Sequence, residues 1–259
     1  MQELENFSLM HLNPTQMRLP LPTQAFEDFL FQQTMELTDS LVGYKELMMM
    51  YSCAMRSIRT KFETLDSEFN IRYRRNPIHS ISTRLKSNSS IVEKITWKNL
   101  DLSLESIEAH IQDIAGVRVI CSYVDDIYLL AEALTRQDDI TLLARKDYIS
   151  TPKPNGYRSL HLIVSLPVYF ADQKKQMTVE VQIRTIAMDL WASLEHQLKY
   201  KQEVNNQQDI VRRLKDCADT IAAVDCEMRE IRQCLETVSD KPTANDLLER
   251  LKKLERPIV

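Results

Sequence analysis

Three polar clusters hold the residues of this sequence that could do chemistry. Asp113-Ile-Ala-Gly116-Val-Arg118 and Lys153-Pro-Asn155-Gly156-Tyr157-Arg158-Ser159-Leu-His161 each contain one of only three glycines among 259 residues. In the second, Pro-Asn-Gly is a turn signal, because Asn and Gly tolerate a positive φ. A plain hairpin tip has no need of Lys, Tyr, Arg, Ser and His packed around it. A loop so rich in donors, with one aromatic face, suits a nucleotide: cations for the phosphates and Tyr157 to stack on a base. In the third cluster, Thr178 to Thr185, strict alternation puts Glu180, Gln182 and Arg184 on one face of a strand and Val179, Val181 and Ile183 on the other. Two separated acids, Asp113 near a strand start and Glu180 within a strand, suit holding Mg²⁺ on a polyphosphate.

Common nucleotide and metal signatures are missing. No GxxxxGK[ST] and no GxGxxG occurs, which excludes a P-loop or a Rossmann site, and the five histidines form neither HExxH nor a His-Asp dipeptide. The net charge of −4 argues against a general nucleic-acid coat. Charge is nevertheless uneven: residues 56–98 hold ten Lys or Arg against four acids, whereas residues 1–55 hold two against seven. That asymmetry predicts an anion-facing surface. The five cysteines are odd in number and widely spaced, without CxxC, and are expected to be reduced and to act as small core hydrophobes.

The elements that must position these clusters follow from periodicity. Residues 1–23 carry Pro14, Pro20 and Pro22 without an apolar period and read as an extended arm. Helices are predicted from Thr23 to about Leu41, with a break at Gly43, and from Tyr44 to Asn70, with the Met48–Met50 run in the core. Pro77–Lys86 reads as a strand, and Ser87-Asn-Ser-Ser90 as a cap cluster before a helix at Ile91–Trp97. Strands are predicted at Val117–Cys121, Ile140–Ala144, Leu160–Val168 and Met177–Thr185, with a helix at Val124–Leu134. Helices then run from Ile186 to Tyr200 and from Ile210 to Leu254, with breaks near Ser239 and Pro242. The class is α+β, a mixed sheet of about five strands flanked by helices. The expected organisation is an arm at 1–23, N-terminal helices at 24–70, a core at 71–204 and C-terminal helices at 205–259. No apolar run approaches the roughly 20 residues of a membrane span, and acids stand where a signal peptide would be basic, so a soluble cytoplasmic protein is expected.

Taken together, Arg84-Leu-Lys86 with Ser90, Asp113-Ile-Ala-Gly-Val-Arg118, Asp147-Tyr148-Ile followed by Lys153 to His161, and Glu180-Val-Gln182-Ile-Arg184-Thr185 resemble a known family. In order and spacing they are similar to the small alarmone synthetases, stand-alone RelA/SpoT-type synthetase domains of the RelQ and RelP group. The match covers roughly residues 70–200. The resemblance implies transfer of the β,γ-pyrophosphate of ATP to the 3′-hydroxyl of GDP or GTP, giving (p)ppGpp and AMP, in an enzyme that assembles as a homotetramer. By position it implies that Arg84 and Arg118 sandwich adenine, while Lys86, Ser90 and Lys94 hold the ATP phosphates. Asp113 would ligate Mg²⁺, and Glu180, also near the metal, would be the base on the 3′-hydroxyl. Tyr157 would stack on guanine, with Lys146, Lys153, His161 and Gln182 around the acceptor's phosphates and ribose and Asn155 and Gly156 shaping the loop.

The sequence departs from the family at some points. Asp189 stands where relatives often carry Asn, which adds negative charge near the acceptor site. The arm and the Met-rich helix do not match features of the family, and the His-Asp hydrolase half of bifunctional relatives has no counterpart, so synthesis without degradation is expected. Two other readings keep the same fold: a toxin-like relative whose acceptor is an adenosine nucleotide or the 3′ end of tRNA, and an inactive nucleotide- or RNA-binding sensor. The basic run Arg212, Arg213, Lys215 would serve a tRNA stem, but also reads as a solvated helix face. Retention of both Asp113 and Glu180 speaks for an enzyme, because binding alone needs no base.

Overall fold

In the computed structural model, residues 24–200 and 207–238 are described. The arm and the breaks near Ser239 and Pro242 lie outside them. The chain divides into two compact units between Glu46 and Leu47. The described residues of the first are helical and belong to α1 (Gln24–Tyr73). Contrary to expectation, this helix does not break at Gly43: an interior glycine costs about 1 kcal/mol relative to alanine, a penalty but not a stop signal.

In the second unit α1 turns Leu47, Tyr51, Ala54, Ile58, Phe62, Leu65 and Phe69 inward at spacings of three and four, the stripe that commits a helix to a core. Of the methionine run only Met50 is in that core, while Met49 is exposed. There follow β1 (Ile78–Leu85), α2 (Asn88–Trp97), α3 (Leu104–His110), β2 (Ala115–Cys121), α4 (Val124–Thr135), β3 (Thr141–Asp147), β4 (Leu160–Tyr169), β5 (Lys174–Thr185), α5 (Ile186–Tyr200) and α6 (Gln207–Val238). The seven-residue α3 was not foreseen; Ser103 caps it by accepting the Ser106 N–H. The strands form one sheet in the order β1-β2-β5-β4-β3, with β2 and β5 parallel and every other pair antiparallel, so the α+β, mixed-sheet expectation is met.

One face of this sheet is apolar. Val117, Val119, Leu162, Val164, Val179, Val181 and Ile183 are buried, and α4 adds Ile127, Leu130 and Leu134 to the core. At roughly 1.5–3 kcal/mol for each fully buried aliphatic side chain, this layer holds the sheet and frees its other face for polar work. The cysteines depart from expectation. All five are free thiols, but only Cys121 is buried, whereas Cys217, Cys226 and Cys234 lie exposed on α6. A helix with polar residues on most of its surface has no core to offer them.

Candidate functional site

Strand register brings the dispersed motifs into rows. Residues paired in register point to the same side of a pleated sheet. On the polar face one row runs Arg84, Gly116, Glu180, Ile163 and Ala144 across all five strands. The next runs Ser82, Arg118, Gln182, His161 and Lys146. The site is therefore a polar strip across the sheet: Arg84 and Arg118 are on the β1–β2 side, His161 and Lys146 on the β4–β3 side, with Glu180 and Gln182 between them.

Glu180 is held from both sides. Its Oε1 lies 3.3 Å from His161 Nδ1 and its Oε2 accepts from Gln182 Nε2 at 3.0 Å. Tyr157 Oη is 2.9 Å from His161 Nε2. With Tyr157 as donor to Nε2, the His161 proton sits on Nδ1 and faces the carboxylate. Burial opposes ionisation of Glu180, but the His161 ring and the Gln182 amide outweigh it, leaving the carboxyl below its ordinary 4.5. Burial raises the Tyr157 phenol, which therefore keeps its proton.

A second focus lies at the start of β2. Asp113 accepts from Lys86 Nζ at 3.0 Å and from Lys94 Nζ at 2.8 Å, one lysine on each oxygen. Burial raises this carboxyl too, but the two lysines more than compensate and lower it below 3.8. Lys86 follows β1, and Lys94 projects from α2, whose N-cap is Ser87 and not the whole cluster: Ser87 Oγ accepts the Ser90 N–H and lies 2.9 Å from Ser90 Oγ. Two lysines, a hydroxyl and a helix N-terminus are what an anionic phosphate chain needs.

The loop between β3 and β4 closes the other end. Asp147 Oδ1 takes the N–H groups of Ile149 and Ser150 and turns the chain. Lys153 Nζ then lies 4.7 Å from the centre of the Tyr148 ring and 4.9 Å from that of Tyr157. Asn155 Oδ1 accepts the Tyr157 N–H while its Nδ2 donates to Glu195 on α5 at 3.0 Å. Gly156 has φ +92° and packs on α6. Arg158 donates to Asp219 of α6 at 2.9 Å. All fourteen predicted residues thus lie on the polar strip, the Asp113 focus or this loop. The sequence reading missed the buttress behind them: Trp191, whose Nε1 donates to Leu214 O at 2.9 Å, Glu195, Asp219 and Asp225. No local pattern marks these residues; only tertiary packing brings α5 and α6 to the loop.

Among the described residues no group of three or more His, Cys, Asp and Glu side chains forms a metal cluster. Asp113 and Glu180 nonetheless fit a hard divalent cation. Both carboxyls are held below their ordinary values, Glu180 feels the charge of Asp113, and Mg²⁺ takes one or two carboxylates and fills its other positions with phosphate and water.

An ionised acid held by two lysines, a second ionised acid on the sheet's polar strip and an aromatic, lysine-bearing loop make a site suited to anionic ligands. Residues 83–205 match the family model described as "Region found in RelA / SpoT proteins". The GTP pyrophosphokinase YwaC of Bacillus subtilis is 39% identical over 198 residues, covering 76% of this chain and 94% of that protein. The crystal structure of small alarmone synthetase 1 from B. subtilis bound to its product pppGpp superposes with a TM-score of 0.67 at 35% identity, over 74% of this chain and 97% of that one. Small alarmone synthetase 2 from the same organism gives 0.66 at 41% identity, over 73% and 98%. The chain belongs to the RelA/SpoT family of alarmone synthetases.

Proposed function

We propose that this chain is a GTP pyrophosphokinase that moves the β,γ-pyrophosphate of ATP to the 3′-hydroxyl of GDP or GTP, making (p)ppGpp and AMP. The observation that carries this reading is Glu180, ionised, gripped by His161 and Gln182 and within reach of the charge of Asp113, which Lys86 and Lys94 hold. The acceptor's 3′-oxygen attacks the β-phosphorus of ATP, and the bond from that phosphorus to the α,β-bridging oxygen breaks. AMP leaves with the electron pair, and the hydroxyl proton passes to Glu180. Such a transfer is mostly alignment and charge neutralisation. Lys86, Ser90 and Lys94 hold the donor phosphates, and Arg84 and Arg118 flank the adenine. Tyr157 stacks on guanine, with Lys146, Lys153, His161 and Gln182 around the acceptor and Asn155 and Gly156 shaping its loop. Asp113 and Glu180 would hold Mg²⁺, which when bound neutralises phosphate charge.

The adenosine-acceptor, tRNA and sensor readings are not favoured, since relatives named GTP pyrophosphokinases align over most of this chain. Three further points belong to the proposal. The catalytic core is assigned to 71–204. A homo-oligomer, a tetramer by family likeness, is supported by the exposed stripe Val224, Met228, Ile231 and Leu235 on α6. A cytoplasmic location suits nucleotide substrates, and no helix among the described residues is long and apolar enough to cross a membrane. To test the function, protein is incubated with γ-labelled ATP, Mg²⁺ and, in parallel, GDP, GTP, GMP, adenosine nucleotides or deacylated tRNA. Label on a guanosine nucleotide together with AMP is expected; label only on adenosine nucleotides or tRNA, or none at all, overturns the proposal.

A further inference from the structure

Arg184, at the C-terminal end of β5, is almost wholly buried yet is not part of the substrate set above. Its Nη2 donates to Gln182 Oε1 at 3.3 Å, its Nε lies 3.4 Å from Asp189 Oδ1, and its guanidinium carbon lies 6.0 Å from the centre of the Tyr157 ring. Arg118 Nη1 approaches the same Asp189 oxygen at 3.8 Å. One carboxylate on α5 thus balances two guanidiniums, Arg118 on β2 and Arg184 on β5 beside Tyr157.

The chemistry of the amide gives this arrangement a direction. A guanidinium has donors and no acceptor, so the end of Gln182 that faces Arg184 must be its carbonyl oxygen. The NH₂ end is then turned towards Glu180, where it donates to Oε2. The two ends of a glutamine amide are nearly isosteric. Without Arg184 the carbonyl end of this amide would lose its anchor, and the amide would be oriented only by the carboxylate it is meant to hold. We propose that Arg184, braced by Asp189, is a positioning residue that fixes the Gln182 amide and through it the Glu180 carboxylate, and that Asp189 links this assembly to Arg118. The inference rests on Glu180 acting as the base and adds what aims it. It also gives Asp189 a role: a neutral amide there would leave two neighbouring guanidiniums uncompensated.

The test compares Arg184→Met, Gln182→Leu and the double variant with the wild type. If Arg184 acts through Gln182, Arg184→Met lowers kcat about tenfold, leaves KM for ATP within about twofold, and has almost no further effect in the Gln182→Leu background, the non-additivity of residues that work as a unit. A second readout needs no turnover. The Gln182 side-chain amide signals, identified by their loss in Gln182→Leu, are protected from solvent exchange in the wild type and exchange freely in Arg184→Met. Equal effects of Arg184→Met in both backgrounds, or amide signals that stay protected, overturn the proposal. Should Arg184→Met fail to fold by circular dichroism, Arg184→Lys keeps the buried charge, loses the planar fork and undergoes the same two measurements. If the wild type itself transfers no label, the functional reading fails, while the amide exchange still decides the positioning role.

Discussion

Gly156 and Ala218 leave no room for a side chain between them: a Cβ on Gly156 would stand 2.5 Å from the Ala218 Cβ and 3.2 Å from the Lys215 Cα. With φ at +92° the position also disfavours any L side chain. Gly156→Ala is therefore expected to lower stability by roughly 1–3 kcal/mol, the scale of a strained non-glycine backbone. It should also raise KM for the guanosine acceptor more than KM for ATP, because the displaced loop carries Tyr157 and Lys153. Urea unfolding and initial rates check this, and an unchanged acceptor KM would show that α6 does not set the loop.

Thr185 donates its hydroxyl to Asp225 Oδ2 at 2.6 Å, tying the end of β5 to α6. Burial pushes the Asp225 carboxyl above its ordinary 3.8, and the Thr185 bond lowers it only in part. A raised carboxyl means the folded state keeps its proton to higher pH than the unfolded chain, so this group's contribution declines as pH rises from 3.8 through the folded value. Asp225→Asn keeps an acceptor for Thr185 and removes the charge. At pH 7 it is expected to be at least as stable as the wild type. Asp225→Ala leaves the buried hydroxyl without its acceptor and is expected to lose about 1–3 kcal/mol. Denaturant titrations at pH 4 and 7 decide; an Asn variant less stable than wild type at pH 7 contradicts the sign.

These two contacts mark where the sequence stopped being readable. The strands at 117–121, 160–168 and 177–185 and the helix at 124–134 were legible because period and composition agree over their length. Glu180, Gln182 and Arg184 were legible as one face because alternation along a strand is local. That Gln182 stands beside Arg118 and His161 required the parallel β2–β5 and antiparallel β4–β5 registers, which no local signal encodes. The break expected at Gly43 is absent for the reverse reason: a single glycine is a local signal that the helix-forming sequence on both sides outweighs. Behind the loop, α6 is polar along most of its surface, and nothing in that pattern said Ala218 and Asp219 would meet Gly156 and Arg158.

Glu180→Gln removes the proposed base while keeping its shape. Turnover is expected to fall roughly 10²-fold or more, with binding of a non-hydrolysable ATP analogue nearly intact. The lowered Glu180 pKa also predicts pH behaviour. The free enzyme has this carboxylate ionised above 4.5, so the wild-type kcat/KM profile should show no acid limb from it between pH 5 and 7. Its stabilising contribution is complete above 4.5 and is lost as pH falls through the folded value. The Gln variant should accordingly lose less stability than the wild type between pH 5 and 3. Undiminished turnover would sink the base assignment.

Lys86 and Lys94 share Asp113, and that sharing makes their effects interdependent. Removing either lysine leaves the other on the carboxylate, whereas removing both leaves a half-buried charge uncompensated. Lys86→Met and Lys94→Met are each expected to lower stability by only about 1 kcal/mol, and the double variant by more than the two together. Their effect on ATP should look different. Each lysine contributes a separate charge-assisted bond to the phosphates, so each single variant raises KM for ATP about tenfold. Urea unfolding and ATP titrations on the four proteins separate the two behaviours. Additive losses of stability would mean that Asp113 does not couple the lysines, and an unchanged KM would remove them from the donor site.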